Sequence, residues 1–171
     1  MISTWNDTMI SCSASLLLRT GLIGAALGLS APTAFAQSAP FAGMAGVWSG
    51  SGTISLEGGA KERIRCKATY AVSSEGNGLN QSLLCASDSY KFELKSDVIA
   101  KAGVLSGTWA ETTRSVNGSL QGRAGNGQFD VTVSAPVFTA KLVMTTNGNK
   151  QSVAITSEGS FKGANIALSR S

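Results

Sequence analysis

Residues 61–86 read KERIRCKATYAV, SSEGNG and LNQSLLCA in succession, and this stretch decides the fold. From Ile64 to Val72 apolar residues, Cys66 and Tyr70 occupy the even positions, while charged and small residues occupy the odd ones. This alternation is the period of a β-strand with one buried face. The central SSEGNG is typical of a turn, because Gly and Asn tolerate positive φ at little cost. The stretch therefore predicts a β-hairpin.

The two cysteines of this hairpin, Cys66 and Cys85, predict its register. If they face each other, Ala68 faces Leu83 and the turn centres on Glu75 and Gly76. A cross-strand disulfide in this position would stabilise the fold by about 3 kcal/mol, mainly by restricting the unfolded chain. The alternative is a redox-active pair, but the sequence lacks the C-x-x-C spacing and a neighbouring helix start that such pairs use. We therefore expect a structural disulfide.

The rest of the chain repeats the same pattern at intervals typical of an antiparallel sandwich or barrel. Alternating runs such as 90–95, 129–133 and 138–144 are separated by turns rich in Gly and Asn. About ten short strands are predicted, and no segment after residue 36 shows convincing helical periodicity. Closing an up-and-down meander of that length removes its exposed edges. We expect an all-β fold of about ten antiparallel strands closed into a barrel.

The N-terminal region has the features of a signal peptide. An apolar run at residues 16–30 is too short to span a bilayer and is followed by Ala34-Phe35-Ala36, which resembles a signal peptidase site. The expected organisation is a signal peptide at 1–36, a flexible lead-in at 37–44 and one β-barrel domain at 45–171. Translation could start at Met1 or Met9. We expect export to a bacterial periplasm or the extracellular space, without stable membrane insertion.

The interior of the expected barrel is open to two interpretations. Small residues such as Gly50, Gly52, Gly107, Ala68 and Ala140 fall at inward positions. They permit either close packing of the strands or room for a ligand, since strand glycines also mark the corners where a barrel bends.

A family resemblance begins at Gly46-Val47-Trp48. Calycins, which include lipocalins and small bacterial metalloprotease inhibitors, begin their first strand with Gly-x-Trp and often place an Arg of the last strand across that Trp. Arg170 is the matching residue here, and a Trp48–Arg170 cation–π contact would close the barrel. The chain resembles this family in pattern over its mature length. The resemblance implies eight to ten strands with an interior site, but the Thr-Asp-Tyr element of lipocalins and the biotin contacts of avidins are absent.

Catalysis has little support in the sequence. The chain has no histidine, which removes the commonest general base, His-dependent triads and most transition-metal sites. Its acidic residues are few and scattered. We expect no enzymatic activity, no metal site and no cofactor.

Basic residues instead form a recognisable pattern. Lysines and arginines occupy alternate positions on one strand, and two more lysines lie two strands away, so their side chains are expected on the outer face. Outside the cell such a surface suits an acidic envelope component. A solvated face that discourages aggregation is the alternative, and nucleic acid is not expected because few aromatics accompany the charges. The residues are Lys61, Arg63, Arg65, Lys67, Lys91 and Lys95.

Two classes of function follow from these features. The first is a small exported barrel that binds an apolar ligand or a cell-envelope component. The second is a protein–protein device such as a periplasmic protease inhibitor, whose extended segment at residues 37–44 would insert into the target. A cavity in the barrel favours the first and a packed interior favours the second.

Overall fold

The structure is a computed structural model that describes residues 39–171. The predicted signal peptide and its cleavage site lie outside these residues. Within residues 39–171, no helix is long and apolar enough to cross a membrane. The secondary structure consists of ten β-strands and one 3-10 turn at Glu57–Gly59. The strands are β1 (Gly46–Leu56), β2 (Lys61–Val72), β3 (Gly78–Ala86), β4 (Lys91–Lys101), β5 (Val104–Glu111), β6 (Val116–Gly125), β7 (Gln128–Ala135), β8 (Phe138–Asn147), β9 (Lys150–Ser157) and β10 (Phe161–Arg170).

The ten strands form a closed barrel in which each strand pairs antiparallel with its neighbours in sequence. β1 also pairs with β10, from Trp48 opposite Arg170 to Leu56 opposite Phe161, which closes the meander. Closure leaves no unpaired sheet edge. The predicted fold class, an up-and-down barrel of about ten strands, is confirmed.

The hairpin formed by β2 and β3 has the predicted register. Cys66 lies opposite Cys85, and Ala68 lies opposite Leu83. The two cysteines are joined in a disulfide, and both are buried on the inner face. The turn between the strands includes Gly76, which adopts a φ of 69°, a conformation that glycine reaches without strain.

Close approach of neighbouring strands explains the inward glycines of β1. A Cβ added at Gly50 would collide with the backbone of Ala167 and Leu168, and one added at Gly52 would collide with the backbone of β10. At these two positions the missing side chains therefore allow the strands to bend against each other, rather than making room for a ligand.

The segment before β1 differs from the flexible lead-in that we expected at residues 37–44. Its described part, residues 39–44, folds into a turn that covers one end of the barrel. Phe41 and Met44 each retain only 1% of their surface exposed, and the Phe41 ring stacks on Phe129 at 5.8 Å. Burial of these two apolar side chains stabilises the segment. Its place before the first strand had suggested that it would be flexible. We call residues 39–44 the plug.

Candidate functional site

The barrel has two different ends, named here by what covers them. The closed end carries the plug and four turns, which connect β2 to β3, β4 to β5, β6 to β7 and β8 to β9. The open end carries the connections at 57–60, 87–90, 112–115, 136–137 and 158–160.

A short chain of polar contacts lies inside the closed end. The hydroxyl of Tyr70 donates a hydrogen bond to Gln151 Oε1 at 2.8 Å, and Gln151 Nε2 donates to Thr146 Oγ1 at 3.0 Å. Burial raises the pKa of Tyr70 to about 12, and the hydrogen bond with Gln151 only partly opposes this. Tyr70 therefore stays neutral at physiological pH and serves as a fixed donor.

Trp48 and Arg170 connect the first strand, the last strand and the plug. Trp48 is fully buried, and its Nε1 donates to the carbonyl oxygen of Met44 at 2.8 Å. The guanidinium carbon of Arg170 lies 4.8 Å from the Trp48 ring centroid, and its Nη2 donates to the carbonyl oxygen of Gly43. Within the described residues Arg170 forms no ion pair, and its buried Nε has no hydrogen-bond partner. The indole face is thus the main partner of this cation.

The interior toward the open end is apolar, and its side chains are less completely buried than those of the closed end. On the disulfide side of the barrel, Ile54, Ile64 and both cysteines are buried. At the closed end most inward apolar side chains are buried, with Val72, Ala124 and Met144 as half-buried exceptions. In the other half, inward apolar side chains from most strands are only half-buried. These are Leu56, Leu83, Phe92, Leu94, Val116, Val133, Ala135, Phe138, Leu142, Val153, Ile155 and Phe161. We call them the apolar lining.

Three aromatic side chains lie in a row near the open end. Trp109 on β5 meets Phe138 on β8 edge-on at 6.1 Å between ring centroids, and Phe138 lies 6.4 Å from Phe161 on β10. The second Gly-x-Trp of the sequence, Gly107-Thr108-Trp109, thus also places its indole inside the barrel. The Trp109 Nε1 donates to the carbonyl oxygen of Ser119 at 3.1 Å.

Glu111 holds the loop between β5 and β6 in place. It is 8% exposed, and its carboxylate accepts hydrogen bonds from the Thr113 hydroxyl and from the backbone N–H groups of Glu93, Thr113 and Arg114. Burial raises the pKa of Glu111, but these donors together hold it below the usual value. Arg114 forms an ion pair with Glu111 at 3.5 Å and stacks over the Tyr90 ring at 4.4 Å, which joins two loops of the open end.

Glu62 holds the loop between β3 and β4 in place. It lies on the inward face at the start of β2, and its carboxylate accepts hydrogen bonds from the hydroxyls of Ser89 and Ser87. These two bonds, that of Ser89 first, lower the pKa of Glu62. Both inward carboxylates of the open end thus organise loops. Sequence alternation places them on the inner face, but their partners come from loops whose positions depend on the finished barrel.

The basic residues that we expected on the outer face are all exposed there. They fall into two groups, because the outward side chains of β3 lie between them. Lys91 on β4 forms an ion pair with Glu93 at 2.8 Å. Hydrogen bonding and charge attraction from Lys91, with a smaller effect of Lys95, lower the pKa of Glu93. The four cations of β2 take part in no ion pair within the described residues; they are Lys61, Arg63, Arg65 and Lys67.

Two open grooves lie on the surface, away from the apolar lining. One, of about 650 Å³, runs between the plug and the turns at 125–127 and 148–149. The other, of about 640 Å³, crosses the outer face of β2 to β6 near Lys95 and Asp97. Among residues 39–171, no group of three or more Cys, Asp or Glu side chains lies close enough together to hold a metal ion.

Comparison with known proteins bears on the fold. No family model and no curated protein matches the sequence. The chain is similar in structure to Rv2717c from M. tuberculosis, whose crystal structure superposes with a TM-score of 0.60 at 10% sequence identity. The match covers 74% of this chain and 92% of that chain. At this identity the similarity supports the barrel fold alone.

Proposed function

We propose that this chain is a non-catalytic exported barrel that binds a small apolar molecule through its open end. The observation behind the proposal is the apolar lining, whose inward side chains are only half-buried while most inward apolar side chains of the closed end are buried. Covering such surface contributes about 25 cal/mol for each Å² removed from water. A ligand that fills this space would therefore gain affinity without polar contacts.

Export and a calycin-like relationship belong to the same proposal. The disulfide between Cys66 and Cys85 fits an oxidising compartment, as does the signal peptide expected at residues 1–36. The calycin resemblance, which rests on the Gly-x-Trp at the start of β1, implied the closed barrel and the Arg170 stacked on Trp48.

The absence of catalysis is supported by the chemistry of the open end. The chain has no histidine, and both inward carboxylates near the lining, Glu62 and Glu111, already accept hydrogen bonds from loop donors. Their lowered pKa values keep them ionised at neutral pH, so neither can donate a proton as a general acid and each is only a weak general base. No observation favours the alternative of a protease inhibitor, since Phe41 and Met44 are buried in the chain's own barrel.

A pair of adjacent residues on β8 provides the test. Leu142 belongs to the apolar lining, whereas Val143 points outward and is 43% exposed. The neutral dye N-phenyl-1-naphthylamine would be titrated into the wild-type protein, Leu142→Trp and Val143→Trp. Because the added indole fills the interior, Leu142→Trp should weaken dye binding by at least about tenfold, while Val143→Trp should bind like the wild type.

A variant that enlarges the interior separates this effect from misfolding. Leu142→Ala should still bind the dye, and far-UV circular dichroism should report the same β-sheet content for all variants. Absence of dye binding to the wild-type protein would contradict the proposal. So would equal loss of binding in Leu142→Trp and Val143→Trp.

A further inference from the structure

The outer face of β1 and β2 carries a regular two-column array. Each outward cation of β2 lies opposite an outward hydroxyl residue of β1: Lys61 opposite Ser55, Arg63 opposite Thr53, Arg65 opposite Ser51 and Lys67 opposite Ser49. Alternate residues of a strand are about 7 Å apart, so the four rungs extend over about 20 Å. We call this array the cationic ladder.

The ladder has little internal compensation of its charge. None of its four cations forms an ion pair within the described residues. Ala86 and Leu84 of β3 lie opposite Arg65 and Lys67, and Asn165, Ala167 and Ser169 of β10 lie opposite the hydroxyl residues of β1, so no carboxylate occupies these flanking strand positions. Glu57 and Glu75 lie in the turns beyond its two ends, and Glu62 points inward to Ser87 and Ser89. Asp88 lies in the loop after β3 and forms no ion pair within the described residues.

The four hydroxyls of β1 are also free to bind a partner. Within the described residues, none of these four side chains takes part in a hydrogen bond inside the protein. Each rung therefore offers one cation and one hydroxyl, and the same pair repeats along a straight line. A surface with this repeat matches a partner that is itself linear, repetitive, negatively charged and rich in hydroxyl groups.

We propose that the cationic ladder binds a linear anionic polysaccharide. The cations would meet its carboxylates or other acidic groups, and the serine and threonine hydroxyls would meet its sugar hydroxyls. Single-stranded nucleic acid fits less well, because the outward face of β1 to β3 carries no aromatic side chain on which bases could stack. A lipid bilayer fits less well too, since among the described residues Leu84 is the one exposed large apolar side chain beside the ladder.

The experiment uses polygalacturonate as the probe and two variants of equal charge. In the ladder variant, Lys61, Arg63, Arg65 and Lys67 are all replaced by Ser. In the control variant, four exposed basic residues away from β1 and β2 are replaced by Ser: Lys101, Arg123, Lys141 and Lys150. Both changes lower the formal net charge of the chain from +4 to 0, so a difference between them reports position and not total charge.

Affinity for polygalacturonate would be measured by isothermal titration calorimetry at low and moderate salt. We expect the ladder variant to lose at least about tenfold in affinity and most of its salt dependence, because fewer counterions are released on binding. The control variant should lose less than about threefold. All proteins should give the same far-UV circular dichroism, since every replaced side chain points into solvent.

Three outcomes would overturn the proposal. Equal losses in the two variants would mean that net charge alone attracts the polymer. No binding by the wild-type protein at low salt would mean that the ladder is a solvated face. Binding to vesicles containing an anionic phospholipid, without binding to polygalacturonate, would assign the ladder to a membrane surface instead.

Discussion

Trp48 and Arg170 lie directly opposite each other where the first strand pairs with the last, and the guanidinium carbon of Arg170 is 4.8 Å from the indole centroid. The same two side chains donate hydrogen bonds to the carbonyl oxygens of Met44 and Gly43. The contact between Trp48 and Arg170 thus joins the first and the last strand of the barrel to the plug. Strand closure and coverage of the closed end are therefore expected to be energetically coupled.

Mutation of this pair tests the coupling. Trp48→Ala should destabilise the protein by about 3–5 kcal/mol through loss of a fully buried aromatic side chain. Arg170→Ala should cost about 1–2 kcal/mol from the lost cation–π contact and stem packing. Urea unfolding of both single variants and the double variant should show non-additive free energies, as expected for residues in contact. Additive values would mean that the two side chains act independently.

Replacement of Phe41 tests the plug. Phe41→Ala should lower the free energy of unfolding by about 3–4 kcal/mol, because the side chain is 1% exposed and stacks on Phe129. Val137→Ala is the matched control, since Val137 is 95% exposed and its loss should change stability by less than about 0.5 kcal/mol. Thermal unfolding followed by circular dichroism would measure both. Equal, small effects of the two replacements on stability would mean that residues 39–44 are only loosely held against the barrel.

The disulfide between Cys66 and Cys85 should contribute measurably to stability. Replacing both cysteines by Ala should destabilise the fold by about 2–5 kcal/mol, because the bond restricts the unfolded chain. Denaturant unfolding of the oxidised protein and the double variant would give the difference. Thiol labelling of the denatured protein should leave both positions unmodified until a reductant is added, and immediate labelling would show that no bond had formed.

Glu111 should make stability depend on pH. Its hydrogen-bond donors hold its pKa in the folded protein below the ordinary value of 4.5. Its stabilising effect is therefore fully present above the pKa of the unfolded chain and is lost as the pH falls through the folded pKa. Glu111→Gln should therefore be less stable than the wild type at pH 7, by about 1–3 kcal/mol for the weakened loop hydrogen bonds.

Comparing the wild type with Glu111→Gln isolates the contribution of Glu111 to stability. Glu62 and Glu93, whose pKa values are also lowered, are present in both proteins. Unfolding free energies measured between pH 7 and pH 3 should converge as the pH falls. Parallel curves would show that the ionisation of Glu111 does not contribute to folding.

The barrel was accessible from the sequence because its determinants are local. Alternation gives each strand an inner face, and the turn between Val72 and Leu79 places Cys66 opposite Cys85 without any knowledge of the other strands. Alternation within β1 and within β10 places Trp48 and Arg170 on the inner face, so this feature too could be predicted without knowing the rest of the barrel.

The plug and the loop carboxylates depend on distant partners and were missed. Phe41 lies in a segment without periodicity, and its partner Phe129 follows more than eighty residues later. Glu62 shares the face of Cys66, but the hydroxyls that bind it come from the loop after β3. Such contacts follow from the closed barrel and cannot be derived from the pattern of one strand.

Methyl NMR during titration with N-phenyl-1-naphthylamine tests most directly whether the interior binds an apolar ligand. Leucine, valine and isoleucine methyls occur both in the apolar lining and on the outer face, where Leu84, Ile99, Val104 and Val143 are exposed. The proposal predicts that the signals of Leu94, Leu142, Val153 and Ile155 shift saturably with the dye while the outer methyls stay in place. Shifts confined to the outer methyls, or no saturable shift in the lining, would contradict it.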